Sequence, residues 1–226
     1  MRRNGSTPTR RGLMRDEIAA YWQEMADLTA AICPNELADA AALLLDTQAR
    51  GRTVMLVGNG GSAATASHIA CDLAKGTRNG GGPTFRVIAL TDNVPVMTAW
   101  ANDTDYARVF AEQVRSLAQP GDLLVAISAS GTSPNIVAAA ESAREARAQV
   151  LALTGRGGGL LAPLADLAIR VPAERIEVVE DAHMAIGHSL CVAARAALAE
   201  RTPADAVVRS VPMFAPERPD RIEASA

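Results

Sequence analysis

The stretch Leu123-Leu124-Val125-Ala126-Ile127-Ser128-Ala129-Ser130-Gly131-Thr132-Ser133-Pro134-Asn135 passes from an apolar run, through hydroxyls and a glycine, into a helical pattern. Apolar throughout, Leu123–Ile127 reads as a strand buried on both faces, as in a parallel sheet. Pro134 is placed to open a helix, where its missing N–H costs nothing, and Ser133 stands at the capping position. A helix start offers unpaired N–H groups and the positive end of its dipole, so the intervening loop suits an anion. Its hydroxyls and amides can hold a phosphate monoester without burying a fixed positive charge. A second stretch, Val57-Gly58-Asn59-Gly60-Gly61-Ser62, repeats the arrangement after the apolar run Thr53–Val57. One such loop is equally well a capped turn. Two of them, each at a strand end in one small domain, point to phosphate binding.

Outward from these loops the pattern alternates. Strands are expected at Thr53–Val57, Arg86–Leu90, Leu123–Ile127, Gln149–Leu153 and Leu167–Val171, and helices at Ala63–Lys75, Thr104–Leu117, Pro134–Ala148 and Gly159–Leu164. Such alternation implies an α/β fold with a parallel sheet covered by helices on both faces. Glu17–Ile32 and Glu36–Ala49 carry apolar residues at helical spacing, broken by Pro34-Asn35, and read as an N-terminal helical hairpin. A final helix runs from about Ile176 to Glu200. Ligands of open parallel sheets bind at the carboxyl ends of strands, near a topological switch point, which is where both loops fall.

The chain has 226 residues, enough for one sizeable core and too few for two large domains. Hydrophobic residues make up 49% but aromatics only 3%, so the core is built from Ala, Val, Leu and Ile. A net charge of −3 implies no broad nucleic-acid or anionic-membrane surface. Cys33, Cys71 and Cys191 are widely spaced and fit reduced thiols of a cytoplasmic protein. No apolar run approaches a membrane span. Residues 1–14 carry several arginines and no apolar core of a secretory signal, so they read as a disordered basic arm, a nucleic-acid contact being the competing reading. Residues 15–201 then form a single domain, and proline-rich residues 202–226 an irregular tail. No lysine follows Gly61 as a P-loop requires, the third glycine of a dinucleotide fingerprint is absent, and no G-x-S-x-G elbow surrounds Ser128 or Ser130.

Three histidines can be weighed singly. His68 and Asp72 lie four residues apart on the helix that starts at the first loop, hence on one face. They can act as acid and base or ligate a metal; a surface ion pair explains the spacing equally well. On the last helix Glu177, Glu180 and Asp181 form an acidic first turn, which the helix dipole favours. Glu180 and His188 are about 12 Å apart along the axis at ~1.5 Å per residue. His183 reads as a solvated position. His188, set among Ala185, Ile186, Gly187 and Leu190, is either a functional group or a satisfied core histidine.

Together, Gly58-Asn59-Gly60-Gly61-Ser62, His68 with an acid four residues on, Ser128-x-Ser130-Gly131-x-Ser133-x-Asn135, Leu153-Thr154-Gly155 and the late helix with His188 resemble the sugar isomerase (SIS) domain, and within it the phosphoheptose isomerase group. The similarity covers about Met14 to Leu198. It implies a flavodoxin-like five-stranded parallel sheet with an N-terminal helical pair, assembled as a homotetramer with active sites near subunit boundaries. It implies that Ser62, Ser128, Ser130 and Ser133 hold a sugar phosphate, with Asn59, Asn102 and Asp103 facing the sugar. His68, Asp72, Glu180 and His188 match the positions that form a zinc or catalytic cluster, one Zn²⁺ per subunit, with Asp72 as base and His188 as its acid/base partner. Two departures stand out: the family usually has glutamate at Asp72 and glutamine at Glu180. The implied reaction converts sedoheptulose 7-phosphate to D-glycero-D-manno-heptose 7-phosphate through an enediol. The alternatives are another sugar phosphate as substrate, or a non-catalytic SIS protein that binds a protein partner such as a replication initiator.

Overall fold

The computed structural model describes residues 9–78 and 84–201. Most of the expected basic arm, residues 1–8, and all of the expected tail, residues 202–226, lie outside the described residues. Residues 10–14 are helical, contrary to the expectation of an arm through residue 14. Thr9 Oγ1 accepts the Gly12 N–H at 3.2 Å, and helix α1 (Arg10–Ala31) begins there. Pro34 opens α2 (Pro34–Ala49), and the chain bends by 73° between the two helices.

Five strands follow: β1 (Thr53–Val57), β2 (Arg86–Ala89), β3 (Leu123–Ser128), β4 (Gln149–Gly155) and β5 (Leu167–Val171). They form one parallel sheet in the order β2-β1-β3-β4-β5. Their side chains alternate between two cores. Val54, Leu56, Leu123, Val125, Ile127, Leu151 and Leu153 face one layer, against α1, α2, α3 (Gly61–Cys71) and α7 (Ile176–Arg201). Met55, Val57, Leu124, Ala126, Val150 and Ala152 face the other, against α5 (Ala111–Leu117) and α6 (Pro134–Glu145). Burial on both faces is why the central strands β1, β3 and β4 are so nearly continuous apolar runs, whereas the edge strands β2 and β5 are partly exposed. Removing each Leu or Ile side chain from water stabilises the fold by roughly 1.5–3 kcal/mol.

Four segments depart from the expected boundaries, among them residues 159–164, where the expected helix is a single 3₁₀ turn (Ala162–Leu164). Residues 94–103 form a helix, α4, in a stretch that had no expected element: Asn93 accepts the Val96 N–H at 3.3 Å and Pro95 sits in the first turn. The single helix expected over residues 104–117 is instead a 3₁₀ turn (Tyr106–Arg108) followed by α5. After Cys71, α3 passes into a π-helical turn (Asp72–Gly76), a feature that accumulates at functional sites.

The chain moves outward from β1 to β2 and returns to β3 on the other side of β1, so the switch point lies between the ends of β1 and β3. The glycine loop and the serine loop flank it.

Candidate active site

Both loops are built by close backbone approach. A Cβ on Gly58 would fall 2.3 Å from the Ser62 carbonyl oxygen, and one on Gly131 2.3 Å from that of Gly158. Gly131 also holds φ at +65°, a left-handed conformation that favours glycine. The two loops are bonded to each other across the switch point. Asn59 Nδ2 donates to Asn135 Oδ1 at 2.8 Å, Asn135 Nδ2 returns the bond to Asn59 Oδ1 at 2.8 Å, and the Tyr106 hydroxyl donates to the same Asn59 oxygen at 3.2 Å. The Asn59 amide, expected to face the sugar, is thus largely committed to bracing the loops.

In the serine loop, Ser128 is buried and its hydroxyl donates to Ser133 Oγ at 3.3 Å, with Ser130 Oγ 3.5 Å away. Ser133 makes no side-chain cap to α6, contrary to the reading of it as a cap; its hydroxyl joins the cluster instead. Three hydroxyls and the start of α6 therefore converge, a donor set for a phosphate ester. Ser62 lies buried in the first turn of α3. A cleft of about 420 Å³ adjoins the serine loop, lined by Ala129, Ser130, Gly155, Arg156, Glu174 and Val179. Arg156, which the sequence did not single out, is held across it by Glu174 at 2.8 Å and the Pro172 carbonyl at 2.7 Å.

The titratable groups gather between α3 and α7. His68 Nε2 and His188 Nε2 are 3.0 Å apart, with the rings edge to face, and Asp72 Oδ2 is 3.6 Å from the first and 3.7 Å from the second. All three side chains are between a third and a half exposed. Two imidazole nitrogens at this distance must be one donor and one acceptor, or else share a cation. Two nitrogens and one carboxylate oxygen from three residues form a group that could hold a metal ion.

Glu180 is not in this group, contrary to its expected place as a fourth ligand. Its carboxylate lies over the start of α3, so that a Cβ on Gly61 would come within 2.8 Å of Oε2. Unpaired N–H groups and the helix dipole favour a carboxylate there. Asp181 faces elsewhere: it accepts the Tyr21 hydroxyl from α1, which pushes the Tyr21 phenol up to about 12. Asn102 and Asp103, expected to face the sugar, are exposed at the end of α4 and bonded to each other at 2.8 Å. His183 is buried, not solvated, and burial lowers its pKa to about 4.

Comparison with known proteins identifies the family. The SIS domain pattern matches residues 17–155. A phosphoheptose isomerase of Rhodospirillum rubrum is 41% identical over 180 residues, covering 79% of this chain and 95% of the relative. Another, from Nitratidesulfovibrio vulgaris, is 43% identical over 171 residues, covering 76% of this chain and 78% of the relative. The solved structure of phosphoheptose isomerase GmhA from Neisseria gonorrhoeae superposes with a TM-score of 0.76 at 32% identity, covering 81% of this chain and 99% of that one. By the domain match and the identity to these relatives over most of its length, the chain belongs to the SIS-domain family, in its phosphoheptose isomerase group.

Proposed function

We propose that this protein is an aldose–ketose isomerase that converts sedoheptulose 7-phosphate to D-glycero-D-manno-heptose 7-phosphate. The observation that carries the reading is the distance between its two halves. Ser62 at the top of α3 and His68 lower down are about 9 Å apart along the axis at ~1.5 Å per residue, comparable to an extended heptose phosphate. The hydroxyls of Ser128, Ser130 and Ser133, with Ser62 beside them, anchor the phosphate. The reacting carbons then reach the cluster of His68, Asp72 and His188.

Asp72 removes a proton from C1 of the ketose, the electron pair forms the C1–C2 double bond, and O2 takes a proton to give the enediol. The O1 proton then leaves as the C1 carbonyl forms, and C2 is protonated, giving the aldose. His188, 3.7 Å from Asp72, exchanges protons with the oxygens or with C2. Anchoring a remote phosphate orients the reacting carbons without stabilising the ground state at the reaction centre. His68, Asp72 and His188 are the residues that would hold a zinc ion, and the bound ion would supply positive charge for the enediolate oxygens. Glu180 stays at the start of α3, facing the phosphate end of the cleft.

A homotetramer is part of this proposal. On α1, Met14, Ile18 and Trp22 recur every fourth residue and are 57%, 59% and 66% exposed, a stripe that water leaves unsatisfied and another subunit would cover. The retained acid/base groups speak against a purely regulatory SIS protein. The test is incubation of the zinc-loaded protein with sedoheptulose 7-phosphate in D₂O, followed by NMR. Heptose 7-phosphate with deuterium at C2 supports the proposal; binding without exchange or turnover overturns it in favour of another sugar phosphate.

A further inference from the structure

Tyr106 is one of the chain's two tyrosines, and it stands 54% exposed where the glycine and serine loops meet. Its hydroxyl donates to Asn59 Oδ1 at 3.2 Å, the oxygen that also accepts from Asn135. Asn135 in turn lies in the first turn of α6, two residues after Ser133. The phenol is thus held at the switch point, beside the loop whose hydroxyls converge.

The mount of this side chain is rigid. Asp105 accepts the Ala107 N–H at 2.7 Å and starts the 3₁₀ turn that carries Tyr106. The turn packs against α6, and directly after it Val109 and Phe110 are fully buried in the layer shared with that helix. Asn102 and Asp103, expected to face the sugar, bond each other at the end of α4, and the same segment sends Tyr106 to the switch point in their place.

A phenol has one proton to donate and lone pairs with which to accept. Tyr106 gives its proton to Asn59, which is its only hydrogen bond among the described residues. Its oxygen therefore remains an acceptor. Asn59 Nδ2 gives one of its two N–H groups to Asn135, and the second has no partner among the described residues. An acceptor and a donor on adjoining groups match a sugar hydroxyl, which gives one hydrogen bond and takes another. A phosphate dianion has no proton to give, so the Tyr106 oxygen has nothing to accept from it.

We infer that Tyr106 is a specificity-determining residue of the site: with Asn59 it binds the hydroxyl on the carbon next to the phosphate-bearing one, C6 of a heptulose 7-phosphate, and so distinguishes a sugar phosphate from phosphate alone. The identity of the sugar rests on the isomerase reading above.

The full-length, zinc-loaded protein is compared with Tyr106→Phe, which keeps the ring and removes the oxygen. Tyr106→Phe is expected to raise KM for sedoheptulose 7-phosphate about 3- to 10-fold, the size of one neutral hydrogen bond, while inhibition by inorganic phosphate stays within about twofold. With the 6-deoxy analogue as substrate, wild type and variant should have equal KM, because the hydroxyl that Tyr106 contacts is gone. An unchanged KM for the natural sugar, weaker phosphate inhibition, or the full penalty with the 6-deoxy analogue makes Tyr106 a brace of the loops only and overturns the inference. Failure of the isomerase reading is told apart by NMR of tyrosine labelled with ¹³C at Cζ, whose two signals Tyr106→Phe assigns, in titrations that need no turnover. The Tyr106 signal is expected to shift with sedoheptulose 7-phosphate or another ketose phosphate and to stay in place with inorganic phosphate. A signal that moves equally with inorganic phosphate, or with no sugar phosphate, overturns the inference.

Discussion

Gly187 of α7 meets Ile69 of α3 so closely that a Cβ on the glycine would lie 2.4 Å from Ile69 Cδ1 and 2.5 Å from Cγ1. The two residues directly precede His188 and directly follow His68. A helix contact this short lets the imidazole nitrogens come within 3.0 Å of each other. Gly187→Ala is therefore expected to spread the helices and lower kcat/KM about tenfold, equivalent to about 1.4 kcal/mol in the barrier. Adding Ile69→Ala should restore part of the activity while lowering thermal stability, which separates the spacing effect from simple packing.

Asp72 is the only carboxylate within 4 Å of both imidazoles among the described residues. Asp72→Asn is expected to reduce kcat by about 10²–10⁴-fold, the range for loss of a general base, and to abolish deuterium incorporation at C2. Asp72→Glu restores the longer reach usual in the group and should retain exchange. Removing zinc with a chelator should lower the thermal midpoint, and re-adding it should restore both stability and turnover. An unchanged midpoint in wild type would argue against a resident ion.

The Glu180 carboxylate at the start of α3 places a negative charge beside Ser62, one of the proposed phosphate contacts. Glu180→Gln should lower KM for the sugar phosphate several-fold at low salt and less at high salt, since screening weakens repulsion between partly exposed charges. A KM that does not move would show that the phosphate is held by the serine loop alone.

Burial holds His183 at a pKa of about 4, against 6.5 for a freely solvated imidazole, with no ionised neighbour contributing. The unfolded chain therefore binds a proton near pH 6.5 that the folded chain refuses until about pH 4. Stability is full above pH 6.5 and falls as pH drops through this window, by about 3 kcal/mol in all. Denaturant titrations from pH 7 to 4 should show that slope, and His183→Gln should flatten it.

Trp22 and Ile18 on α1 give the assembly its test. Replacing both with serine is expected to lower the mass measured by light scattering while far-UV circular dichroism stays unchanged. Retention of the full mass would place the subunit contact elsewhere.

The centre of the sheet could be read from sequence because β1, β3 and β4 are buried on both faces along nearly their whole length. The edge strands β2 and β5, each with an exposed arginine, were legible from their remaining apolar residues. Helix α4 was missed because Val94, Val96 and Met97 form no buried stripe; the capping Asn93 with Pro95 in the first turn was its one available sign. The π turn after Cys71 leaves no periodic mark at all. In the site, the His68–Asp72 spacing and His188 were legible, since both follow from position on a helix. His183 was misread although Val179, Ile186 and Leu190 place it on the buried stripe of α7. The choice between Glu180 and Asp181 was not available locally, because it depends on Tyr21, 160 residues away.

The reciprocal amide pair between Asn59 and Asn135 has a consequence for how the two loops respond to change. Asn135 is 2% exposed, and losing the Asn59 amide leaves it unsatisfied in a buried setting, at a cost of about 1–3 kcal/mol. A change at Asn59 in the glycine loop is therefore felt at Asn135 in the serine loop, so the two loops are energetically coupled although 76 residues separate them.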